Sequence, residues 1–291
     1  MRILLTGGTG YVGKYLLAEL LRNKFDVGLL IRSSSNLREN RSIKYFLLSD
    51  KNWKSYVKEF NADVVIHLAS YLTSLDDETS IDNLLESNIL FGTHLLDAIK
   101  DTELKLFVNT GTMSEYEKEE VSPAYLYAAT KTAFRSIIKY YQNRYKFKSV
   151  NVIPYTIYGG RDVRKKLIDF IYESTRTLES IDMSPGYQIL DFIHIDDVVK
   201  FYITLLNNYQ KLDEEEYVVH LGTGKGTSPR KIASLMDSNN LKTNVNWGGI
   251  PYRPIDTMYS VAPKSEFFSI ISYTITISIE DGIILYINAR N

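Results

Sequence analysis

Cysteine is absent from the 291-residue chain, which excludes disulfides and thiolate metal ligands. Histidine is scarce: His67, His94, His194 and His220 are scattered without the spacing of a ligand set, so no protein-held metal is expected. No segment approaches the roughly 20 consecutive apolar residues that span a bilayer. Met1-Arg2 leads straight into an apolar run and a glycine turn, so no signal peptide is expected and a cytoplasmic protein is the default. An excess of one charge is missing too, since 34 basic residues face 35 acidic ones with no long basic block. That balance argues against nucleic acid or an anionic membrane as the main partner.

What is present suits a large core, with 44% apolar residues. Arg2–Thr6 is a continuous apolar run, as in a strand buried on both faces. Helical spacing follows from about Tyr11 to Asn23. Further strand-like runs are Asp26–Ile31, Leu47–Asp50, Asp63–His67, Lys105–Asn109 and Ser149–Pro154. Helical stretches lie near Asn52–Phe60, Ile81–Ile99 and Ala124–Tyr145. Strands alternating with helices call for a parallel sheet wound on both faces. After about Tyr155 the elements shorten: a helix near Val163–Ser174, a strand at Gln188–His194, and helices near Asp196–Leu206 and Ser228–Ser238. The expected fold class is α/β, a Rossmann-type doubly wound parallel sheet with a smaller C-terminal substrate-binding domain. Its expected boundaries are 1–155 for dinucleotide binding, with a return segment near 188–222, and 156–291 for the substrate. The smaller domain is expected over the sheet's carboxyl edge.

Thr6-Gly7-Gly8-Thr9-Gly10-Tyr11-Val12-Gly13 sits where a buried strand gives way to a helix. Gly7 allows a tight turn, Gly10 lets backbone approach a pyrophosphate, and Gly13 lets helix pack close to strand. Phosphates would then meet the free N–H groups at the helix start, around Tyr11 and Val12. A glycine-rich turn without a ligand is the plain alternative, but the strand–turn–helix context favours a dinucleotide. Arg32-Ser33-Ser34-Ser35 follows the second strand, with Arg32 nineteen residues past Gly13, where the adenosine ribose is read. An acidic residue there would repel a 2′-phosphate, whereas a guanidinium and hydroxyls donate to it. NADP(H) is therefore preferred over NAD(H), unless Arg32 is only a solvated strand-end residue. Asp50 could accept from the adenine amino group or serve as a simple turn residue.

Tyr127-Ala128-Ala129-Thr130-Lys131 puts a phenol and an ammonium on one helix face. Of 22 tyrosines, Tyr127 alone has lysine four residues on. A free phenol, with a pKa of about 10, shuttles protons poorly near neutrality, and a nearby cation would lower that value. The plain alternative is an exposed Tyr and Lys on an amphipathic helix. Thr112 follows a strand end, where such folds place ligands, and its hydroxyl could bind the reacting oxygen. Asn88 either adds a supporting polar contact or lies on a solvated helix face.

With the glycine turn, Thr112 and Tyr127/Lys131 in this order, the chain resembles the extended short-chain dehydrogenase/reductase family of nucleotide-sugar enzymes over nearly its whole length. The resemblance includes Val65–Ala69, Ile157–Gly160, Asp191–Val198, Leu221–Gly224 and Arg253-Pro254. It implies Tyr127 as acid/base, Lys131 as its pKa tuner and ribose clamp, and Thr112 as partner of the substrate oxygen. It further implies Thr6, Gly7, Gly10, Tyr11, Val12, Gly13, Arg32, Ser33 and Asp50 at the dinucleotide, with Leu68 and Ala69 beside the nicotinamide ribose. Tyr71, Thr112 and Met113 would border the sugar, and Arg253 would meet the nucleotide diphosphate. A homodimer through helices near 81–99 and 124–145 is implied as well.

Three departures from the family pattern matter. Met113 and Ser114 replace the Asp-Glu pair of the family's 4,6-dehydratases, and a thioether and hydroxyl cannot serve as acid and base for elimination. Leu190 replaces the basic residue that usually precedes Asp191-Phe192, and no Trp-x-Pro occurs in Ser265–Ser278. The later segments look most like 4-reductases acting on CDP- or dTDP-4-keto-6-deoxyhexoses or 3,6-dideoxyhexoses. An epimerase with tightly bound cofactor is the alternative, since it returns the hydride that it removes and in this family usually holds NAD. A non-catalytic dinucleotide sensor is more remote, because it would not need Thr112, Tyr127 and Lys131.

Overall fold

A computed structural model describes residues 1–32, 40–117 and 119–290. The chain forms two compact units. One comprises Met1–Ile153, Val199–Val219 and Glu266–Tyr273; the other comprises Pro154–Val198, His220–Ser265 and Thr274–Asn291.

The first unit is built from β1 (Arg2–Thr6), α1 (Tyr11–Arg22), β2 (Asp26–Ile31), β3 (Ile43–Leu47), α2 (Trp53–Phe60), β4 (Val64–His67), α3 (Glu78–Leu85), α4 (Phe91–Ile99), β5 (Leu106–Thr110) and α5 (Leu126–Tyr145). Its seven-stranded sheet runs in the order Glu216–Leu221, Lys148–Pro154, β5, β4, β1, β2, β3. From Lys148–Pro154 to β3 every neighbouring pair is parallel. Parallel strands need crossovers, and covering helices bury them on both faces, so β1 and β4 read as uninterrupted apolar runs. The expected α/β fold is thus the observed one.

Helix α1 buries Gly13, Leu16 and Leu20, spaced three and four apart. Burying each leucine contributes roughly 1.5–3 kcal/mol. The helix stops at Asn23, whose backbone N–H and side-chain amide both donate to the Glu19 carbonyl. In α5, Tyr127, Lys131, Phe134, Ile138 and Gln142 are buried in one stripe at helical spacing. That stripe is why a lysine here lies inside the protein. At the carboxyl ends of the strands, Thr6 is in register with His67, His67 with Asn109, and Asn109 with Asn151. All four side chains are fully buried, and this polar row lies beneath the candidate site.

Several elements differ from expectation. The helical stretch expected over 81–99 begins earlier, at Glu78, because Asp77 caps it by accepting from the Ser80 N–H. It is also broken by a π-turn at Glu86–Leu90. The third strand ends at Leu47, leaving Asp50 in the turn before α2. Helix Ile279–Asn288 was not foreseen at all. It packs closely against Tyr158, whose hydroxyl a Cβ on Gly282 would meet, and Ser278 caps it by accepting from the Asp281 N–H.

In the second unit, strand Ile189–His194 pairs in parallel with Thr156–Tyr158 and Tyr259–Ser260, and antiparallel with Gly226–Thr227. Asp191 is fully buried and accepts from the Thr223 N–H and hydroxyl, the Gly224 N–H and the Ala262 N–H. The Asp191–Val198 and Leu221–Gly224 motifs therefore meet through one carboxylate. Among the described residues, no helix is long and apolar enough to cross a membrane.

Candidate active site

The turn from β1 to α1 holds close backbone approaches that only glycine permits. Gly7 has φ +70°, and a Cβ there would lie 2.6 Å from the Ala69 nitrogen. A Cβ on Gly13 would stand 2.1 Å from the Gly7 oxygen. Over Gly10 a Cβ would meet only the Gly7 oxygen, at 3.2 Å, so the cradle is otherwise open. Gly10 is also the N-cap of α1, where no side chain caps the helix and no acidic residue occupies its first turn. The positive helix end is thereby left to an anionic group, which is what a dinucleotide pyrophosphate requires. Tyr11 and Val12, both half-buried, form that first turn. Thr6 lies at the end of β1, ahead of the glycine turn. Its hydroxyl is fully buried, accepts from the Ala69 N–H at 3.2 Å and pairs with His67 Nδ1 at 2.8 Å. It shapes the loop carrying Leu68 and Ala69.

His67 is packed among the rings of Phe91, Phe107 and Phe134. Its Nε2 has no hydrogen-bond partner among the described residues. Burial pushes the imidazole down to about 3, with Lys131 adding to the effect. The unfolded chain takes up this proton near pH 6.5 and the folded chain does not, so stability is lost as pH falls below 6.5. Between pH 7.5 and pH 5, wild type should lose about 2 kcal/mol more than His67→Gln. Urea unfolding of both proteins at the two pH values measures this, and equal losses would show that His67 does not set the acid sensitivity.

Arg32 is exposed just beyond β2. Ser33, with Ser34 and Ser35, lies outside the described residues. Asp50 is taken up by its own turn, where its carboxylate accepts from the Asn52 N–H at 2.8 Å. That is the turn role.

At the start of α5, Tyr127 is 8% exposed and stacked beside Tyr125. Burial pushes its phenol up to about 12, against a hydrogen bond with Ser70 that pulls the other way. Lys131 is 2% exposed and pushed down to about 8, again by burial, with the Glu115 carboxylate opposing the shift. The phenol is therefore not acidified as expected, because burial dominates and Tyr125 and Glu115 add to its upward push. Tyr127 accordingly holds its proton throughout the neutral range.

Asn88 lies in the π-turn and is 1% exposed, which decides against a solvated helix face. Its Oδ1 accepts from the Tyr71 N–H at 2.8 Å and the Ser70 hydroxyl at 3.2 Å. Its Nδ2 donates to the Tyr71 carbonyl and the Thr130 hydroxyl, both at 3.0 Å. One amide thus joins the loop carrying Ser70 and Tyr71 to the helix carrying Tyr127. The π-turn is the local distortion that sets Asn88 there.

Thr112 is half-buried, opens a short 3₁₀ turn at Met113–Glu115, and accepts from the Ser114 N–H at 3.3 Å. Glu115, overlooked in the sequence, organises this turn. Fully buried, it accepts from the Thr112 N–H at 2.8 Å and the Thr132 hydroxyl at 3.0 Å. Arg135 Nε lies 3.1 Å from Oε2, the oxygen that also accepts from Thr132, as a charge pair without hydrogen-bond alignment. Burial holds the Glu115 carboxyl above its ordinary range, against the pull of Arg135. The sequence did carry a signal, because Thr112-x-x-Glu115 has the pattern of a capping box.

Tyr71, Thr112, Met113, Tyr127 and Lys131 all belong to the first unit, whereas Arg253 belongs to the second. Exposed Arg253 is engaged with Asp256: Nε and an Nη donate to Oδ1 at 2.9 and 2.7 Å, and the backbone N–H donates to Oδ2. Leu190, standing where the family has a basic residue, is buried in the second unit's apolar core.

Residues 3–222 match the NAD dependent epimerase/dehydratase family. The chain is 27% identical over 288 residues to the CDP-abequose synthase of Salmonella muenchen, covering 97% of this chain and 95% of that protein. It is 23% identical to the UDP-glucose 4-epimerase of Corynebacterium glutamicum, covering 81% of this chain and 79% of the relative. In fold it resembles the UDP-glucuronic acid 4-epimerase from Bacillus cereus, solved with UDP-glucuronic acid and NAD, at a TM-score of 0.85 and 21% identity. That alignment covers 99% of this chain and 98% of the solved one. The chain belongs to the NAD-dependent epimerase/dehydratase family, whose members are NAD(P)-dependent enzymes of the extended short-chain dehydrogenase/reductase type.

Proposed function

We propose that the protein is an NADPH-dependent reductase of the 4-keto group of a CDP- or dTDP-linked 4-keto-6-deoxyhexose or 3,6-dideoxyhexose, serving deoxysugar synthesis for surface polysaccharide. The observation that carries this reading is the near end-to-end similarity to CDP-abequose synthase. Arg32 supports it, since the residue after β2 is basic where an NAD enzyme would carry an acidic one. A 4,6-dehydratase fits poorly. Met113 and Ser114 have no acid–base chemistry for elimination, and Glu115 is fully buried in its contacts with Thr112, Thr132 and Arg135.

Gly7, Gly10 and Gly13 would hold the pyrophosphate, with Tyr11 and Val12 at the helix start, Arg32 at the 2′-phosphate, and Leu68, Ala69 and Lys131 at the nicotinamide ribose. When bound, the nicotinamide supplies the hydride. Tyr127 gives its proton to the oxygen at C4, and the Thr112 hydroxyl hydrogen-bonds that oxygen and orients it. Tyr71 and Met113 border the sugar, and Arg253 exchanges part of its Asp256 contact for the nucleotide diphosphate. We further propose a homodimer through α3–α4 and α5, whose outer faces expose Ile81, Leu85, Leu90 and Tyr140. Light scattering of the purified protein tests that assembly.

The alternative is an epimerase with a retained dinucleotide, favoured by the similarity to UDP-glucose 4-epimerase. Mixing the protein with NADPH, or separately NADH, and a CDP- or dTDP-4-keto-6-deoxyhexose separates the two readings. Stoichiometric loss of NADPH is the expected result. A new sugar isomer from an NDP-hexose, without net consumption, would establish the epimerase. Arg32→Ala should weaken NADPH by about 1.5–3 kcal/mol, the usual contribution of a hydrogen bond to a charged group, and leave NADH nearly unchanged. Fluorescence titration with each dinucleotide measures this, and equal weakening would mean that Arg32 does not read the phosphate.

A further inference from the structure

Helix α5 begins at an unusual residue. Ser, Thr, Asp and Asn are preferred at a helix N-cap because their side chains accept from the first free N–H groups. Tyr125 holds that position, with extended backbone (φ −163°, ψ 171°), and its side chain makes no capping hydrogen bond. The helix thus gives up a stabilising contact at the end that carries Tyr127. The Tyr125 ring instead lies alongside the Tyr127 ring, with centroids 5.9 Å apart and planes inclined by 25°. Backbone hydrogen bonds bring a second apolar side chain to the same place. The Ala124 N–H donates to the Ser114 carbonyl and the Ser122 N–H to the Glu115 carbonyl, both at 2.9 Å. The segment before α5 is thereby tied to the turn after Thr112. Met113 precedes Ser114, Tyr125 follows Ala124, and both are half-buried. Thr112 and Tyr127, the two groups that would hold the reacting oxygen, therefore each have an apolar neighbour.

We propose that Tyr125 and Met113 form an apolar wall beside Tyr127 that reads the C6 methyl of the sugar; this rests on the reductase reading above. The site then favours a 6-deoxyhexose over a hexose bearing a 6-hydroxyl. With the Tyr127 phenol hydrogen-bonded to the oxygen at C4, C6 is two carbon–carbon bonds from C4 and so about 3–6 Å from the phenol oxygen. Tyr125, one ring spacing away at 5.9 Å, stands where that methyl would meet it. A methyl group gains by leaving water for a ring face and a thioether, and the flexible methionine side chain closes around it. A hydroxyl in the same place is stripped of water and meets only a π-face and a weak sulfur acceptor. A 6-carboxylate is rejected more strongly still, since a charge costs more to desolvate than a hydroxyl. Both sugar classes proposed above carry the C6 methyl, so the wall serves either.

The NADPH complex would be titrated calorimetrically with CDP-6-deoxyglucose and CDP-glucose, and with the matching dTDP pair. The members of a pair differ only at C6, so nucleotide and C4 contributions cancel in the ratio of their affinities, and NADPH reduces neither alcohol. Wild type should bind the 6-deoxy sugar at least about tenfold more tightly, as an apolar pocket does against an added hydroxyl. Tyr125→Ser should bring the ratio below about threefold, and Met113→Gln should lower it as well. Tyr125→Phe keeps the ring and should retain the ratio. Because Tyr125→Ser gains a capping hydroxyl as it loses the stack, its melting midpoint should stay within about 3 °C of wild type. NADPH oxidation with a CDP- or dTDP-4-keto-6-deoxyhexose is followed in parallel. A wild-type ratio near one, or a ratio that persists in Tyr125→Ser or Met113→Gln, would overturn the wall while NADPH consumption left the reductase intact. A wild type that binds neither pair, or that interconverts isomers without net NADPH consumption, would overturn the reductase reading and the wall with it.

Discussion

Tyr127→Phe is expected to lower turnover by two to four orders of magnitude while dinucleotide affinity stays within about threefold of wild type. The substitution removes one oxygen and keeps the ring, so the stacking beside Tyr125 and the packing of the α5 stripe survive. What disappears is a proton donor whose phenol, pushed up to about 12, is fully protonated at working pH. NADPH fluorescence titration and steady-state NADPH oxidation with the keto sugar separate the two effects. Full activity in Tyr127→Phe would remove this residue from the chemistry, and a parallel loss of binding would indicate a structural part.

Glu115→Ala is expected to destabilise the first unit by about 3–5 kcal/mol, the usual result of removing one partner from a buried ion pair. Arg135, whose side chain is only 13% exposed, would be left without its counter-charge. The Thr112 N–H and Thr132 hydroxyl would lose their acceptor as well. The double variant Glu115→Ala/Arg135→Met should recover part of this loss, because much of the cost comes from the stranded cation. Urea unfolding at pH 7.5 measures the cycle, and additive losses would show that the pair is not the source. In the folded fraction of Glu115→Ala, kcat should fall more than KM rises, since the turn carrying Thr112 loses its anchor.

The glycine turn and the Tyr127/Lys131 pair were legible because each depends on local geometry. A tight strand-to-helix turn needs glycine at particular positions, and residues four apart on a helix share a face whatever lies around them. Asn88 was not decidable in the same way: the same residue on a regular helix could face water, and the π-turn that buries it arises from packing. Asp50 was ambiguous for a related reason. An aspartate near a strand end can cap a turn as easily as meet a ligand, and here one of its oxygens accepts from the Asn52 N–H. Glu115 could have been found from its Thr-x-x-Glu spacing, but its ion pair with Arg135 joins residues twenty apart on separate elements.

By itself the sequence determined the α/β architecture, the start of α1 beneath an open glycine turn and the chemistry available on α5. Each of these follows from apolar periodicity, backbone permissiveness or helical spacing, which act within a few residues. Only the tertiary structure decided that Thr6 turns inward to His67 and Ala69, that Asn88 ties Ser70 and Tyr71 to Thr130, and that Glu115 anchors Thr112. It also decided the ionisation of Tyr127 and Lys131. Tyr127 is pushed up and Lys131 down because burial strips water from both, and the depth of burial depends on what the rest of the chain packs against them.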